Sequence, residues 1–300
     1  MVWWIFNLIN HLMDGIISNF LIEQIIVNFE WAFGTWEDEI ARSAEYLQYT
    51  PENFLGGYIY TLLQNLSNTV ILPIAVAIFA LILAYEFIQM LGEGNNFREF
   101  DYMHLVKWGM KLVFGTILLT NVFPIMNWIF TVGANAVAAA EAEISIHNFD
   151  LGTVFDGMRD TLENNIMIEE LIIVWFASFF FGFFMIVARL IIFALVIYRI
   201  LLIMLKISIA PLPFATLVNR EWGSIGNNYI KLLFATAFQG FLMIIILALW
   251  GYLMAYFLPT AADTAIEFIL AMGGMVVTSI MLIILLIKTQ QISKSIFGAH

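Results

Sequence analysis

Apolar runs of about twenty residues recur along this chain, separated by shorter stretches where polar and charged residues gather. At 1.5 Å of rise per residue, a helix of about 20 residues matches the roughly 30 Å hydrocarbon core of a bilayer. The pattern predicts five such helices, at 69–90, 111–132, 171–197, 232–258 and 268–287. Residues 1–33 carry a different pattern. Asn7, His11, Asp14 and Ser18 recur on one side of a helix and Trp4, Leu8, Leu12 and Phe20 near another. That is an amphipathic helix, lying on a membrane surface or a partner, with a true span as the alternative.

Breaks between the runs follow from local chemistry. Gly56-Gly57 marks a turn in the polar, acidic stretch 34–68. Pro73 falls in the first turn of the first predicted span, where proline costs little. Pro124 falls in the second half of the second span and predicts a kink there. The run from 171 to 218 is too long for one crossing and holds Arg189, Arg199 and Lys206 before ending in Ala210-Pro211-Leu212-Pro213. Span three is placed at 171–197. The remainder reads as an extension of that helix or as a shallow re-entrant element. Trp250, Tyr252 and Tyr256 crowd the end of span four as an interfacial aromatic belt would.

Composition supports the same class. Of the 300 residues, 62% are hydrophobic and 12% charged, with a mean hydropathy of +0.91. Soluble domains carry roughly 45–50% apolar and 25% charged residues, so an aqueous fold could not hide this much apolar surface. The expected fold is therefore an all-α, polytopic integral membrane protein. It comprises an extracytoplasmic segment 1–68, amphipathic and then acidic, and a membrane domain 69–300 with an acidic outer loop 133–170 and a basic inner segment 198–231.

Charge predicts its orientation. With five spans, residues 1–68, 133–170 and 259–267 fall on one side and hold 18 acidic and two basic residues. Residues 91–111, 198–231 and 288–300 fall on the other and hold four acidic and nine basic residues. Lysine and arginine gather on the cytoplasmic side, which puts the N-terminus outside and the C-terminus inside a cell (inner) membrane. Two charges are left within spans, Glu86 and Arg189, at matching depth. An ion pair between spans one and three is one reading, since intramembrane charges pair or face water. Snorkelling of both to the inner headgroups is the other.

Catalytic and cofactor signatures are missing from the sequence. There is no cysteine, which removes disulfides, thiolate metal sites and cysteine nucleophiles. The four histidines are scattered and match no HExxH pattern, and no Walker loop is present. Gly223-Ser224-Ile225-Gly226 lacks the GxSxG spacing of a nucleophile elbow. The chain reads as no enzyme, with no cofactor. Asn121, Asn127 and Gln239 sit within spans as candidates for hydrogen bonds between helices.

The most unusual local feature is the double proline, Pro211 and Pro213, followed by Asn219, Arg220, Glu221, Trp222 and Gly223. Two residues without a backbone donor stop a helix, and a charged turn with a tryptophan follows. One reading is a rigid stop with an interfacial anchor. The other is a cytoplasmic docking or gating element. An inner basic face formed by Arg98, Lys107, Lys111, Arg199, Lys206, Arg220 and Lys231 either sets topology or meets an anionic partner.

These pieces together resemble the TrbL-type conjugal transfer proteins of Gram-positive mobile elements, a polytopic inner-membrane subunit of type IV secretion systems. The resemblance covers the chain from about Asn65. It rests on TVILPIA at 69–75, EFIQM at 86–90, APLPFA at 210–215, NREWG at 219–223, FQGF at 238–241 and KSIFGAH at 294–300. Glu86, Arg199, Pro211, Pro213, Arg220, Glu221 and Trp222 match the family pattern, and Arg189 is not clearly part of it. Longer relatives carry a large hydrophilic tail that this sequence does not show. The resemblance implies a channel or scaffold role, helping a single DNA strand with its relaxase cross the membrane. It implies membrane lipid, secretion ATPases, a coupling protein and further copies of the chain as partners, and no catalytic residues. Any DNA contact falls to the inner basic face, because the acidic outer loops repel phosphate. The competing expectation is a small-solute transporter or permease subunit. Against it stand the odd number of spans and the lack of a visible repeat.

Overall fold

The computed structural model describes residues 2–33, 36–93, 102–144, 151–260 and 262–300. Every regular element among them is helical. In chain order these are α1 (Val2–Phe33), α2 (Trp36–Gln48), α3 (Tyr58–Leu66), α4 (Leu72–Glu93), α5 (Tyr102–Thr120), α6 (Val122–Glu143), α7 (Leu151–Asn164), α8 (Ile168–Ile209), α9 (Pro211–Ala215), α10 (Gly223–Tyr256) and α11 (Ala265–Phe297). A short 3₁₀ turn, Phe54–Gly57, precedes α3, and a π turn, Ser67–Ile71, joins α3 to α4.

Five helical runs are long and apolar enough to cross a membrane: Phe54–Leu91, Val122–Glu143, Ile168–Ile209, Gly223–Tyr256 and Ala265–Phe297. The expected number of spans is therefore present. Only 22% of the most apolar window of Phe54–Leu91 is buried inside the protein, and 50% of that of Gly223–Tyr256. Leu81, Ile88, Phe180 and Phe183 are among the large apolar side chains left uncovered. Leaving each in water instead of an apolar medium would cost about 1.5–3 kcal/mol. Lipid must cover them, and the chain is a multi-pass membrane protein.

Several boundaries differ from the sequence reading, for identifiable reasons. Helix begins well before residue 69, so Pro73 lies inside a long helical run and not in its first turn. Its missing donor and its ring are accommodated by the wider π turn at Ser67–Ile71 immediately before it. The helix expected at 111–132 is two helices that meet at Asn121. Pro124 falls in the first turn of α6, where the carbonyl it would serve, that of Thr120, is already the last of α5. The apolar crossing element is accordingly α6, and the expected outer loop 133–170 is largely helical in α6 and α7. The run from 171 onward resolves as one unbroken 42-residue helix, the extension and not the re-entrant alternative.

At Gly56-Gly57 the expected turn is present. Leu55, Gly56 and Gly57 all have positive φ, and a Cβ at Gly57 would meet the Glu52 carbonyl oxygen at 2.8 Å. Only glycine fits that corner.

By contact the chain divides into two units. The first holds 1–45, 141–195 and 243–287, and the second 46–140, 196–242 and 288–300. In the first, α1 buries a helical stripe of Leu21, Ile22, Ile25, Ile26, Phe29, Ala32 and Phe33. Its other side is not purely polar, since Ile16, Ile17, Phe20 and Trp31 are exposed. Phe29 packs on Phe181 with ring centroids 4.9 Å apart and meets Phe268 edge-on at 5.9 Å. The Asn28 amide donates to Ser178 Oγ at 2.9 Å, and Gly182 lets the two helices close there. Thr161 of α7 and Asn165, just past its end, donate to the carbonyls of Thr260 and Ala262 at 3.1 and 3.0 Å. Glu23 of α1 pairs with Arg159 of α7.

The second unit has a core of Phe79 and Leu83 from α4, Phe123, Met126 and Phe130 from α6, Ile203 and Ile207 from α8, Phe214 from α9 and Leu233 from α10. The Phe79 ring sits where a Cβ at Gly115 of α5 would be. The C-terminal stretch is fastened to α10. Gln239 donates to Thr289 Oγ1 at 3.2 Å, Ser293 donates to the Ala235 carbonyl, and Asn228 exchanges two 3.0 Å hydrogen bonds with the backbone of His300.

Candidate functional site

The helix α8 stops at Ile209 because Pro211 and Pro213 cannot continue the donor ladder. Pro211 takes the first position of α9, where its missing N–H is no loss, and is buried. After α9 the chain turns back into α10. Thr216 Oγ1 accepts from the Gly226 N–H at 3.1 Å. A Cβ at Gly226 would meet the Pro213 carbonyl at 2.7 Å, so the two arms of the turn touch through backbone.

Asn219 is the keystone of this turn and is 6% exposed. Its Oδ1 accepts from the backbone N–H groups of Glu221 and Trp222, both at 2.8 Å, as a helix N-cap does. Its Nδ2 donates to Glu86 Oε1 on α4 at 2.9 Å. The same carboxylate receives Lys111 Nζ of α5, 2.9 Å from both oxygens. Trp108, one turn before Lys111, donates its indole N–H to the Leu83 carbonyl at 3.0 Å. On the residue of α4 just before Glu86, the Tyr85 ring lies parallel to Trp222, 6.3 Å centroid to centroid. Three separate stretches, α4, α5 and the 216–222 turn, are thus held at one carboxylate. What they present outward is Arg220, Glu221 and Trp222, all exposed.

This corrects the partner expected for Glu86, which was Arg189. Glu86 has Lys111 and Asn219 within its own unit, and Arg189 Nη2 donates to the Trp31 carbonyl at 3.0 Å within the other. Lys111 lies 25 residues from Glu86 and supplies the charge nearer at hand.

The expected inner basic face also separates into different kinds of residue. Arg199 is 2% exposed, and its guanidinium donates to the carbonyls of Leu47 and Ala237 at 3.3 and 3.2 Å. It lies against Gly240, where a Cβ would stand 2.6 Å from Nη2. Lys206 is also buried and donates to Thr236 Oγ1, while the Tyr229 hydroxyl donates to the Lys206 carbonyl. Lys111 is engaged with Glu86. Lys107, Arg220 and Lys231 are the members that remain exposed, and Arg98 lies outside the described residues. Arg199 and Lys206 act as internal fasteners of α8, α10 and the end of α2, and present no charged surface. Asn121 bonds locally, to the Ile117 carbonyl at 2.8 Å, and not between helices.

Sequence reasoning singled out Glu86 and the Arg220-Glu221-Trp222 turn but missed the residue that joins them. The usable signal was Asn219 itself, since an asparagine after a proline helix stop can accept from the backbone N–H groups two and three residues on and so build a turn.

Against known proteins, the chain matches the family described as TrbL/VirB6 plasmid conjugal transfer like protein over residues 37–211. The match starts earlier than the resemblance read from the sequence and ends at Pro211, so NREWG, FQGF and the C-terminal motif lie beyond it. No curated protein and no solved structure matches. The family match takes in α2 to α8, including Glu86, Lys111 and Arg199, and extends over more than half of the sequence. The chain belongs to the TrbL/VirB6 family, and with it to the membrane-embedded components of conjugal transfer by type IV secretion.

Proposed function

We propose that this chain is a structural channel or scaffold subunit of a conjugative type IV secretion system in the cell membrane. It helps a single DNA strand with its attached relaxase cross that membrane. The observation that carries the reading is family membership across α2–α8. Secretion ATPases, a coupling protein and further copies of this chain are its proposed partners.

The N-terminus is proposed to lie outside and the C-terminus inside. Charge supports this. Apart from Arg189, nine of the eleven lysines and arginines lie in 91–111, 198–231 and 288–300, the segments proposed to face the cytoplasm. On that side Arg220, Glu221 and Trp222 form the proposed docking surface for a soluble partner. A surface fixed from behind by Asn219 and Glu86 loses little freedom on binding, which favours affinity. Lys107, Arg220 and Lys231 are the exposed cations proposed to meet phosphate, since Arg199 and Lys206 are occupied inside.

A photo-reactive residue placed at position 222 in cells carrying the full transfer system tests the docking role. Cross-linking to the secretion ATPase or the coupling protein, identified by mass spectrometry, is expected. Cross-links to lipid alone would refute it.

A further inference from the structure

A cavity of about 450 Å³ opens in the second unit, between the 52–64 stretch and α6. Its lining is Glu52, Tyr60, Gln64, Pro124, Asn127, Trp128 and Thr131. That volume is within the range of small-ligand sites. The chemistry of the walls is one-sided. Glu52 brings a carboxylate, and no lysine, arginine or histidine faces it among the lining residues. Gln64 adds a side-chain amide oxygen as a neutral acceptor. The Thr131 hydroxyl is already spent on the Asn127 carbonyl at 2.8 Å. Tyr60 is held edge-on against Phe123 at 6.0 Å, which fixes its ring, and Trp128 is 61% exposed at the rim.

A site with a negative charge, surplus acceptors and two aromatic rings favours a cation that can donate. An anion would meet the Glu52 carboxylate. A neutral polyol would leave that charge uncompensated. A primary ammonium satisfies all three features, through charge-assisted hydrogen bonds to Glu52 and Gln64 and through the aromatic faces. We infer that this cavity binds a primary alkylammonium group, carried either by a lipid headgroup or by a free amine. Glu52 sits just ahead of the helical run Phe54–Leu91, where the apolar crossing gives way to polar chain, the level at which headgroups lie. The inference does not depend on the proposed role in DNA transfer.

The test uses the full chain in detergent micelles carrying equal phosphatidylethanolamine and phosphatidylglycerol with the same acyl chains. Bound lipid is counted by native mass spectrometry, and ethanolamine hydrochloride is titrated in parallel by calorimetry. Retention of phosphatidylethanolamine over phosphatidylglycerol by about fivefold or more is expected, falling to parity in Glu52→Gln and in Trp128→Ala. Glu169→Gln, which removes an exposed carboxylate outside the cavity, should keep the preference. Binding of ethanolamine without a lipid preference, lost in Glu52→Gln, assigns the site to a free amine and also supports the inference. Both substitutions are at exposed positions, and elution as a single species in gel filtration checks that each variant is folded. The inference is overturned if neither probe binds, or if binding survives both substitutions unchanged. Equal binding of glycerol in the calorimeter would likewise overturn it.

Discussion

Asn219 hands one side of its amide to Glu86 and the other to the backbone of Glu221 and Trp222, so a single side chain ties the 216–222 turn to α4. Asn219→Ala removes a cap and one hydrogen bond to a charged group at once. The loss of stability expected is about 2–4 kcal/mol. Thermal unfolding of the purified protein in detergent measures it. Asn219→Asp keeps the cap but sets a second carboxylate against Glu86, and should recover only part of the loss.

Arg199 is accommodated because residue 240 has no side chain. Gly240→Ala places a methyl group 2.6 Å from Nη2 and must push the guanidinium off the Leu47 or Ala237 carbonyl. Destabilisation of about 1–3 kcal/mol is expected, the usual cost of overpacking. Gly251→Ala, on the same helix at a position where a Cβ meets nothing within 4 Å, should stay much closer to wild type in the same unfolding assay.

The pair Glu23–Arg159 makes stability depend on pH. The hydrogen bond from Arg159 holds the Glu23 carboxyl below its usual range; desolvation opposes this, and the guanidinium charge adds to it. Arg159 is raised in turn, chiefly by the same hydrogen bond. A carboxyl depressed on folding contributes stability above its unfolded pKa of about 4.3, and loses it as pH falls through the folded value. Wild type should therefore exceed Glu23→Gln in melting temperature near neutral pH, with the two curves converging under strong acid. The gap is expected to be small and to shrink in high salt, since the pair is open to solvent.

The proposed orientation can be read chemically because the native chain has no cysteine. Asp156 and Lys231 are both exposed, in the segments 133–170 and 198–231 proposed to lie outside and inside respectively. Asp156→Cys should react with a membrane-impermeant maleimide in intact cells. Lys231→Cys should react only after the membrane is opened. The reverse pattern would invert the topology.

Much of the helical plan was legible in the sequence because span length is dictated by bilayer thickness, and the number of helical runs able to cross, five, is the number expected, although the second lies at Val122–Glu143. Their boundaries were not. Pro73 falls in a first turn only if the helix starts where the apolar run starts, whereas helix already runs from Tyr58, in a stretch whose Phe54, Ile59 and Leu63 pack with Ile200 and Met204 of α8. Pro124 reads as a kink in the sequence because nothing local says that α5 has already ended. At the site, Glu86 was recognisable as an intramembrane charge needing a partner, but the partner depends on which helices meet. Matching depth nominated Arg189, and tertiary packing chose Lys111 and Asn219. Arg199 and Lys206 were assigned to a surface because a charge-counting rule treats every cation as solvated. Backbone carbonyls and a hydroxyl, invisible to such a count, took them inside.

The central claim is membership in a working conjugation machine, and mating measures it most directly. The gene is deleted from a donor strain whose element otherwise transfers, and transfer frequency to a recipient is scored beside donor growth. Transfer should collapse by several orders of magnitude with growth unchanged, and return when the wild-type gene is supplied in trans. Undiminished transfer from the deletion strain would contradict the account.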